Sequence, residues 1–537
     1  MTIVEFEHEE FCDLVGTRLS MEEVEAKVSM MGAAPEGIQG TVQRFDIFPN
    51  RPDLLSVEGI ARAFRGFLGL EDGLPWYGVR PSGIAFDIDA SVRDVRPVAA
   101  GAVVRDVELS ESQLRSLIDL QEKLHLTLGR RRRKVAVGIH DADSVRPPFA
   151  YKAVSPSSVS FVPLGMAESM DLAAILERHE KGVEYGPILA GKDRYPIITD
   201  REGRVLSFPP IINGVVTQLS PETQNLFIDV TGTDEEAVGT ALNVVCTALA
   251  EHGAAIESVE LRTPDGTRLT PDLEPQEHVL EVRAANELTG LSLTAGEVAL
   301  MLRRMRHDAR PEGDAVRVRT PRYRADILHP VDLIEDVAIA YGYDRIPSSL
   351  PRRQTHGVPA AAADFAHGLR TLLVGHGYHE VISLTVAPPR EPFESPSRLV
   401  IRNPVTPENS CLRSSLLPSL LALLGLNRHR DLPQRVFEIG DAVRGTRNVR
   451  LLAGATVHAH AGFTEMKSLT QGLFRDVGAT IQIEPTEDPN FIDGRCAGVR
   501  IAETSVGLFG EIHPRVVTGY GLGHHVAAFE FEVGGLR

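Results

Sequence analysis

The stretch that most constrains this chain runs from Pro321 to Pro347, PRYRADILHPVDLIEDVAIAYGYDRIP. Arg322, Arg324 and Asp326 alternate with Tyr323, Ala325 and Ile327, which predicts a half-buried strand. Pro330 suits a first helical turn, where its missing N–H costs nothing, and Gly342 marks a stop just past the helix. Asp332, Glu335 and Asp336 are spaced i, i+3 and i+4, so the predicted helix carries them on one face. Asp326, at the end of the predicted strand, can be brought beside them. Four converging carboxylates repel one another unless a cation or a basic partner compensates, and Mg²⁺ suits a site of few carboxylates that keeps its waters. The plainer alternative is that acids in a first turn complement the helix dipole. Outside its apolar stripe this helix is acidic, so groove readout of nucleic acid ranks below a scaffolding role.

A chain of 537 residues is too long for one core and predicts three or four domains. With 56 Lys and Arg against 73 Asp and Glu the net charge is −17, which excludes a generic polyanion coat. Contact with nucleic acid has to come from local basic patches. Cys12, Cys246, Cys411 and Cys496 are scattered with no CxxC pair, which argues for a reducing compartment and against structural zinc. The acidic N-terminus lacks an apolar signal region, and no apolar run reaches the roughly 18 residues of a membrane span. These features predict a soluble cytoplasmic protein with no membrane partner.

Four regions follow from the pattern. Residues 1–80 read as a strand at 3–7, a helix opened by the capping box Ser20–Glu23, a strand over 41–48 and a helix capped by Asn50 or Asp53. A Gly- and Pro-rich linker precedes a mixed region, 86–270, with strands at 84–88 and 98–107 and a helix over 111–128. There GRRRRK, residues 129–134, leads into an apolar strand ending at His140–Asp141; the basic tract either contacts phosphate or is a solvated charge run. Residues 271–347 read as helices around a hairpin at 315–327, a small helix-turn-helix-like module, and 355–537 as a further α+β region. Phosphate loops of the GxxxxGK[ST] and GxGxxG types and the GxSxG elbow are absent. His458 and His460 lack a third ligand nearby in sequence and read as ordinary histidines. Gly519, Gly521 and Gly523 imitate the GxGxGxxR signature of class II aminoacyl-tRNA synthetases, but Val526 stands where that signature has its ATP-contacting arginine.

Several long blocks carry a resemblance: FPNRPDLLSVEGIARA at 48–63, KVAVGIHD at 134–141, PPIINGVVTQLSPETQNLFIDVTGTD at 209–234, YRADILHPVDLIEDVAIAYGYDRIP at 323–347 and NPVTPENSCLRSSLLPSLL at 403–421, followed by FEIGD at 437–441 and GEIHP at 510–514. The chain resembles the beta subunits of phenylalanyl-tRNA synthetases of the archaeal/eukaryotic type, within the class II aminoacyl-tRNA synthetase family. The resemblance implies a multidomain α+β fold: a structural domain at 1–80, a B3/B4-like tRNA-editing domain at 86–270, a B5 domain at 271–347 and a catalytic-like class II core without catalytic motifs at 355–537. It implies an alpha-subunit partner in an (αβ)₂ tetramer, tRNA(Phe) as substrate, and ATP and phenylalanine bound mainly by the alpha subunit. It places Mg²⁺ on Asp326, Asp332, Glu335 and Asp336. The chain itself would have no residue catalytic for aminoacylation; it would hydrolyse tyrosine mischarged onto tRNA(Phe). Ser207, Asn213, Thr231 and Thr233 offer short polar groups at strand ends as candidates for that pocket, the alternative being that Asn213 and the threonines satisfy turns. No appended oligonucleotide-binding domain is expected, so anticodon contact is not assigned to this chain. The rival readings are a non-enzymatic tRNA-binding or assembly protein that has lost editing and a free-standing Mg²⁺-dependent hydrolase.

Overall fold

The computed structural model describes residues 2–351, 355–395 and 398–536. The chain divides into two compact units, Met1–Leu350 and Pro351–Arg537.

The first unit opens with a three-stranded antiparallel sheet in which Val42–Asp46 lies between Ile3–Glu7 and Ala34–Gln39. Phe6 on this sheet stacks with both Phe45 and Phe11, and Phe11 in turn meets Phe64 of helix Val57–Leu68. That helix is capped by Ser56, whose hydroxyl accepts from Gly59 N, and not by Asn50 or Asp53. Asp53 lies in the short helix Pro52–Leu54 and pairs with Arg51 instead. The capping box at Ser20 forms, opening helix Met21–Met30.

A ten-stranded mixed sheet follows. Its strands run, edge to edge, Ile212–Asn213, Val205–Phe208, Tyr195–Thr199, Phe149–Val154, Val79–Ile88, Ala255–Thr263, Val98–Arg105, Leu226–Gly232 and Val135–Asp141, with Gly266–Thr270 paired onto Ala255–Thr263. Val79–Ile88 is parallel to both its neighbours, and the other pairings along this order are antiparallel. Leu226–Gly232 is buried on both faces, and the all-round apolar helix Glu235–Ala250 packs against it.

The third layer is a small sheet, Gln276–Glu281, Ala315–Thr320 and Asp308–Glu312, with helices Val282–Thr289, Ala295–Arg304 and Pro330–Tyr341 around a common core. Here one expectation fails. The hairpin is Asp308–Glu312 with Ala315–Thr320, and residues 321–329 form turns, not the strand that their alternation predicts. Pro321 has no N–H to extend the ladder, and the following side chains turn inward to a charge cluster described below. Helix Pro330–Tyr341 forms as expected, with Gly342 at φ 100° after it.

The second unit is built on a seven-stranded sheet ordered His379–Glu380, Gln434–Arg444, Arg447–Val457, Val526–Glu532, Thr504–Ile512, Phe491–Ile501 and Gln482–Pro485. Period-2 alternation feeds two cores. Val436, Leu451, Ala453 and Ala528 face helix Leu417–Leu426, whereas Phe437, Leu452, Phe529 and Phe531 face helices Ala361–Gly375 and Phe463–Asp476. Among the described residues no helix is long and apolar enough to cross a membrane.

Candidate functional site

A cavity of about 190 Å³ opens where the mixed sheet meets helix Glu111–Leu126 and the turn after it. Ser207, Asn213 and Thr231 all line it; Thr233 does not, being exposed beyond the strand end with its N–H on Lys134 O. Ser207 and Asn213 are directly opposite each other in an antiparallel pair, which puts both side chains on one face. Ser207 Oγ is buried and has no hydrogen-bond partner. A buried hydroxyl left unpaired costs about 1–3 kcal/mol, so this one stands ready for a polar group of a bound ligand. Asn213 is half-buried and spends one amide hydrogen on Ile139 O at 3.4 Å.

Thr231 is held from behind. Arg96 Nε donates to its Oγ1 at 3.0 Å and Arg96 Nη2 to its carbonyl at 2.6 Å. With one lone pair engaged, the hydroxyl hydrogen is left to point elsewhere. Burial lowers the Arg96 guanidinium to about 10, and it remains a cation at neutral pH.

Sequence reading missed the pocket's carboxylates. Asp229 lines the cavity, 1% exposed, and its Oδ2 lies 2.7 Å from His140 Nε2, while His140 Nδ1 meets Thr217 Oγ1 at 2.7 Å. The signal was present: Asp229 sits within LFIDV and His140 near the end of VAVGIHD, polar residues in otherwise apolar runs. Gly138, opposite Asp229 in the register, makes room for the pair, since a Cβ there would sit 2.1 Å from Asp229 Oδ2 and 2.8 Å from His140 Nε2. Glu122 and Arg132 form the outer wall, joined at 2.6 Å, and Arg132 Nη1 also donates to Ile211 O at 2.9 Å. Burial pushes the Glu122 carboxyl up, but His125 and Arg132 outweigh it and hold it at about 2. Arg132 further stacks over the Tyr185 ring at 4.4 Å.

The acidic quartet of 321–347 does not converge. Asp326 takes two bonds from Arg324, at 2.8 and 2.6 Å, and Asp336 takes one at 2.9 Å, so a guanidinium bridges them. His307 Nε2 adds a bond to Asp336 Oδ2 at 2.6 Å, and Arg51 stands 3.8 Å from Asp326. Burial raises both carboxyls, but Arg324 outweighs it and holds them below the ordinary aspartate range. Asp332 caps its own helix, accepting from Leu328 N at 2.8 Å and His329 N at 2.7 Å, and Glu335 is exposed. Among the described residues no three His, Cys, Asp or Glu side chains are placed to hold a metal ion. With the compensating charge supplied by arginine, this arrangement does not fit a four-carboxylate Mg²⁺ site.

The same cluster ties the stretch to the start of the chain. Arg62 of helix Val57–Leu68 lies over the Tyr323 ring at 3.8 Å, and Arg304 Nη2 donates to Phe67 O at 2.6 Å. Gly66 permits this approach, because a Cβ would meet Arg304 O at 2.6 Å.

In the second unit, Val526 is 1% exposed and pairs with Val457 inside the sheet. Glu438 is spent on Arg413 at 2.8 Å and on Ser383. His458 bonds Glu465 at 2.8 Å.

Similarity covers both units. A family model described as "Phenylalanyl tRNA synthetase beta chain CLM domain" matches residues 346–533, and one described as "tRNA synthetase B5 domain" matches 278–343. The phenylalanine–tRNA ligase beta subunit of Methanococcoides burtonii is 41% identical over 99% of this chain and 100% of its own length. The chain belongs to the phenylalanine–tRNA ligase beta-subunit family. The family member from Archaeoglobus fulgidus is likewise 41% identical, over 99% of this chain and 98% of its own. A crystal structure of an N-terminal fragment of the phenylalanyl-tRNA synthetase beta subunit from Pyrococcus horikoshii, 41% identical, matches with a TM-score of 0.62 and covers 63% of this chain and 99% of the fragment.

Proposed function

We propose that this chain works beside a phenylalanine–tRNA ligase alpha subunit in an (αβ)₂ assembly that charges tRNA(Phe), and that its 190 Å³ pocket hydrolyses tyrosine mischarged onto that tRNA. One observation carries the second half: the meeting of Ser207, Asn213 and Thr231 in one buried cavity, with the Ser207 hydroxyl unpartnered. An apolar synthetic site rejects an added hydroxyl poorly, whereas a pocket of placed polar groups rewards it. Tyrosine's phenol both donates and accepts, so it can satisfy Ser207 and Asn213 together; phenylalanine leaves them unpaired. Water attacks the ester carbonyl, the bond to the ribose oxygen breaks, and the ribose hydroxyl recovers a proton. Asp229, fixed by His140, is the buried carboxylate available to orient that water or the substrate ammonium.

The synthetic chemistry belongs to the partner in this reading, since the second unit has a buried valine where class II enzymes carry an arginine. Its helices and sheet then serve as a catalytic-like scaffold, and the small three-stranded module as a B5-type joint. The arginine-bridged carboxylates of this chain do not fit Mg²⁺, and no role for it is assigned to them.

Hydrolysis of tyrosyl-tRNA(Phe) by the full-length chain with its partner tests the proposal. Turnover by the natural protein and its loss in Asn213→Ala are expected; a protein that binds tRNA but never deacylates it would establish the non-enzymatic reading.

A further inference from the structure

We infer that the turn Arg130–Arg133 is a clamp for the phosphates of the single-stranded 3′ end of the tRNA entering the pocket, an inference that rests on the proofreading reading above. Arg130, Arg131 and Arg132 have φ of 49°, 55° and 62°, three consecutive residues in the left-handed region. Such a run is unfavourable for L residues other than glycine and persists only where its surroundings hold it. Arg132 supplies the hold. It is buried, bonded to Ile211 O and Glu122, and stacked on Tyr185, so the turn is fastened to the wall of the cavity itself. Lys134 closes the other end through Asp234 at 3.2 Å.

The charges divide accordingly. The two anchoring cations are neutralised by carboxylates, but Arg130, Arg131 and Arg133 are exposed, and among the described residues no carboxylate forms an ion pair with any of them. In a chain of net charge −17, three arginines within four residues, with no carboxylate among the described residues in direct contact and only Asp234 acting on Arg130 from farther off, favour the approach of an anion. Their planar forks match phosphate oxygens. Their place next to the residue that lines the cavity fits a polyanion whose end lies inside it. A strand of RNA bearing the mischarged ester has that shape: reacting group within, successive phosphates outside.

The test uses the full-length chain in its assembly and two substrates. Tyrosyl-tRNA(Phe) carries the phosphates; 3′-O-tyrosyl-adenosine carries the ester without them. The triple variant Arg130→Asn, Arg131→Asn and Arg133→Gln removes the charge, and asparagine tolerates the left-handed region. We expect its KM for tyrosyl-tRNA(Phe) to rise about tenfold or more with a shallower salt dependence, while turnover of the nucleoside ester stays within about twofold. Arg→Lys at the same three positions should recover most of the tRNA affinity. An unchanged KM and salt slope would overturn the clamp while leaving proofreading intact. Equal losses on both substrates would also overturn it, by showing that the turn merely shapes the pocket. Failure of the natural protein to hydrolyse either ester would remove proofreading and the clamp with it. Should the triple variant not fold, Arg133→Glu alone, outside the left-handed run, is read by the same criteria.

Discussion

Arg324 donates to Asp336 across 2.9 Å with both side chains almost wholly buried. The guanidinium that also grips Asp326 therefore does, from within the chain, what a bound cation would otherwise be needed for.

Replacing it exposes the dependence. Arg324→Gln leaves the two buried carboxylates with His307 and the more distant Arg51 only, and removing one partner of a buried pair costs about 3–5 kcal/mol. A fall of that size in unfolding free energy is expected for the variant. Millimolar Mg²⁺ should restore part of it in the variant and leave the natural protein's melting temperature unchanged. A natural protein whose stability tracks Mg²⁺ would instead mean that arginine and metal compete for these acids.

Ser207→Ala separates stability from activity. Because Ser207 Oγ has no partner, its removal discards an unsatisfied buried hydroxyl. Thermal unfolding should stay the same or rise slightly, while hydrolysis of tyrosyl-tRNA(Phe) falls by about tenfold or more, the worth of a hydrogen bond to a placed polar group. A large loss of stability would show that the hydroxyl is engaged within the fold.

Gly138→Ala should be disruptive. The added methyl has to displace the Asp229 carboxylate or His140, at about 1–3 kcal/mol for overpacking. Chemical denaturation measures the cost, and editing should be lost even at temperatures where the variant is folded. Alanine tolerated with full activity would contradict the Asp229–His140 geometry.

Glu122 carries a pH signature. Its carboxyl titrates near 4.5 when unfolded and is held at about 2 in the fold. A depressed folded value means that the unfolded chain takes up the proton first as pH falls. The contribution is therefore complete above about pH 4.5 and is lost as pH drops toward about 2. Glu122→Gln should flatten the stability profile in that acid window by lowering stability at neutral pH and leaving it little altered near pH 2, the neutral loss being modest because the side chain is 41% exposed and partly screened by solvent. An unaltered acid limb would remove Glu122 from the pairing with Arg132.

Much of the fold is legible locally. Capping boxes at Ser20 and Thr294 open helices because the cap and its acid three residues on close both ends of one hydrogen-bonded ring. Alternation predicts strands such as Val526–Glu532, where every second side chain enters a different core. The same rule misleads at 322–327, where Arg324 and Asp326 alternate for the sake of a buried ion cluster and not of a ladder.

The candidate site was legible in part. Ser207, Asn213 and Thr231 come from strands whose order is set by long-range pairing, and they do meet; Thr233, two residues on, falls outside because the strand ends at Gly232. Asp229 and His140 passed unnoticed, since nothing local says that residues 89 apart will meet on paired strands with Gly138 opposite Asp229.

The sequence by itself determined the family, through long blocks in a fixed order, along with the capping boxes at Ser20 and Thr294 and the absence of phosphate loops. Those are properties of neighbouring residues, carried by spacing and backbone chemistry. Only the tertiary structure decided what neutralises Asp326 and Asp336, which hydroxyl is left unpaired in the pocket, and which arginines of the basic tract are spent on holding the turn. Each of these is a question of which charges and hydrogen-bonding groups end up out of water together, and that depends on partners far along the chain.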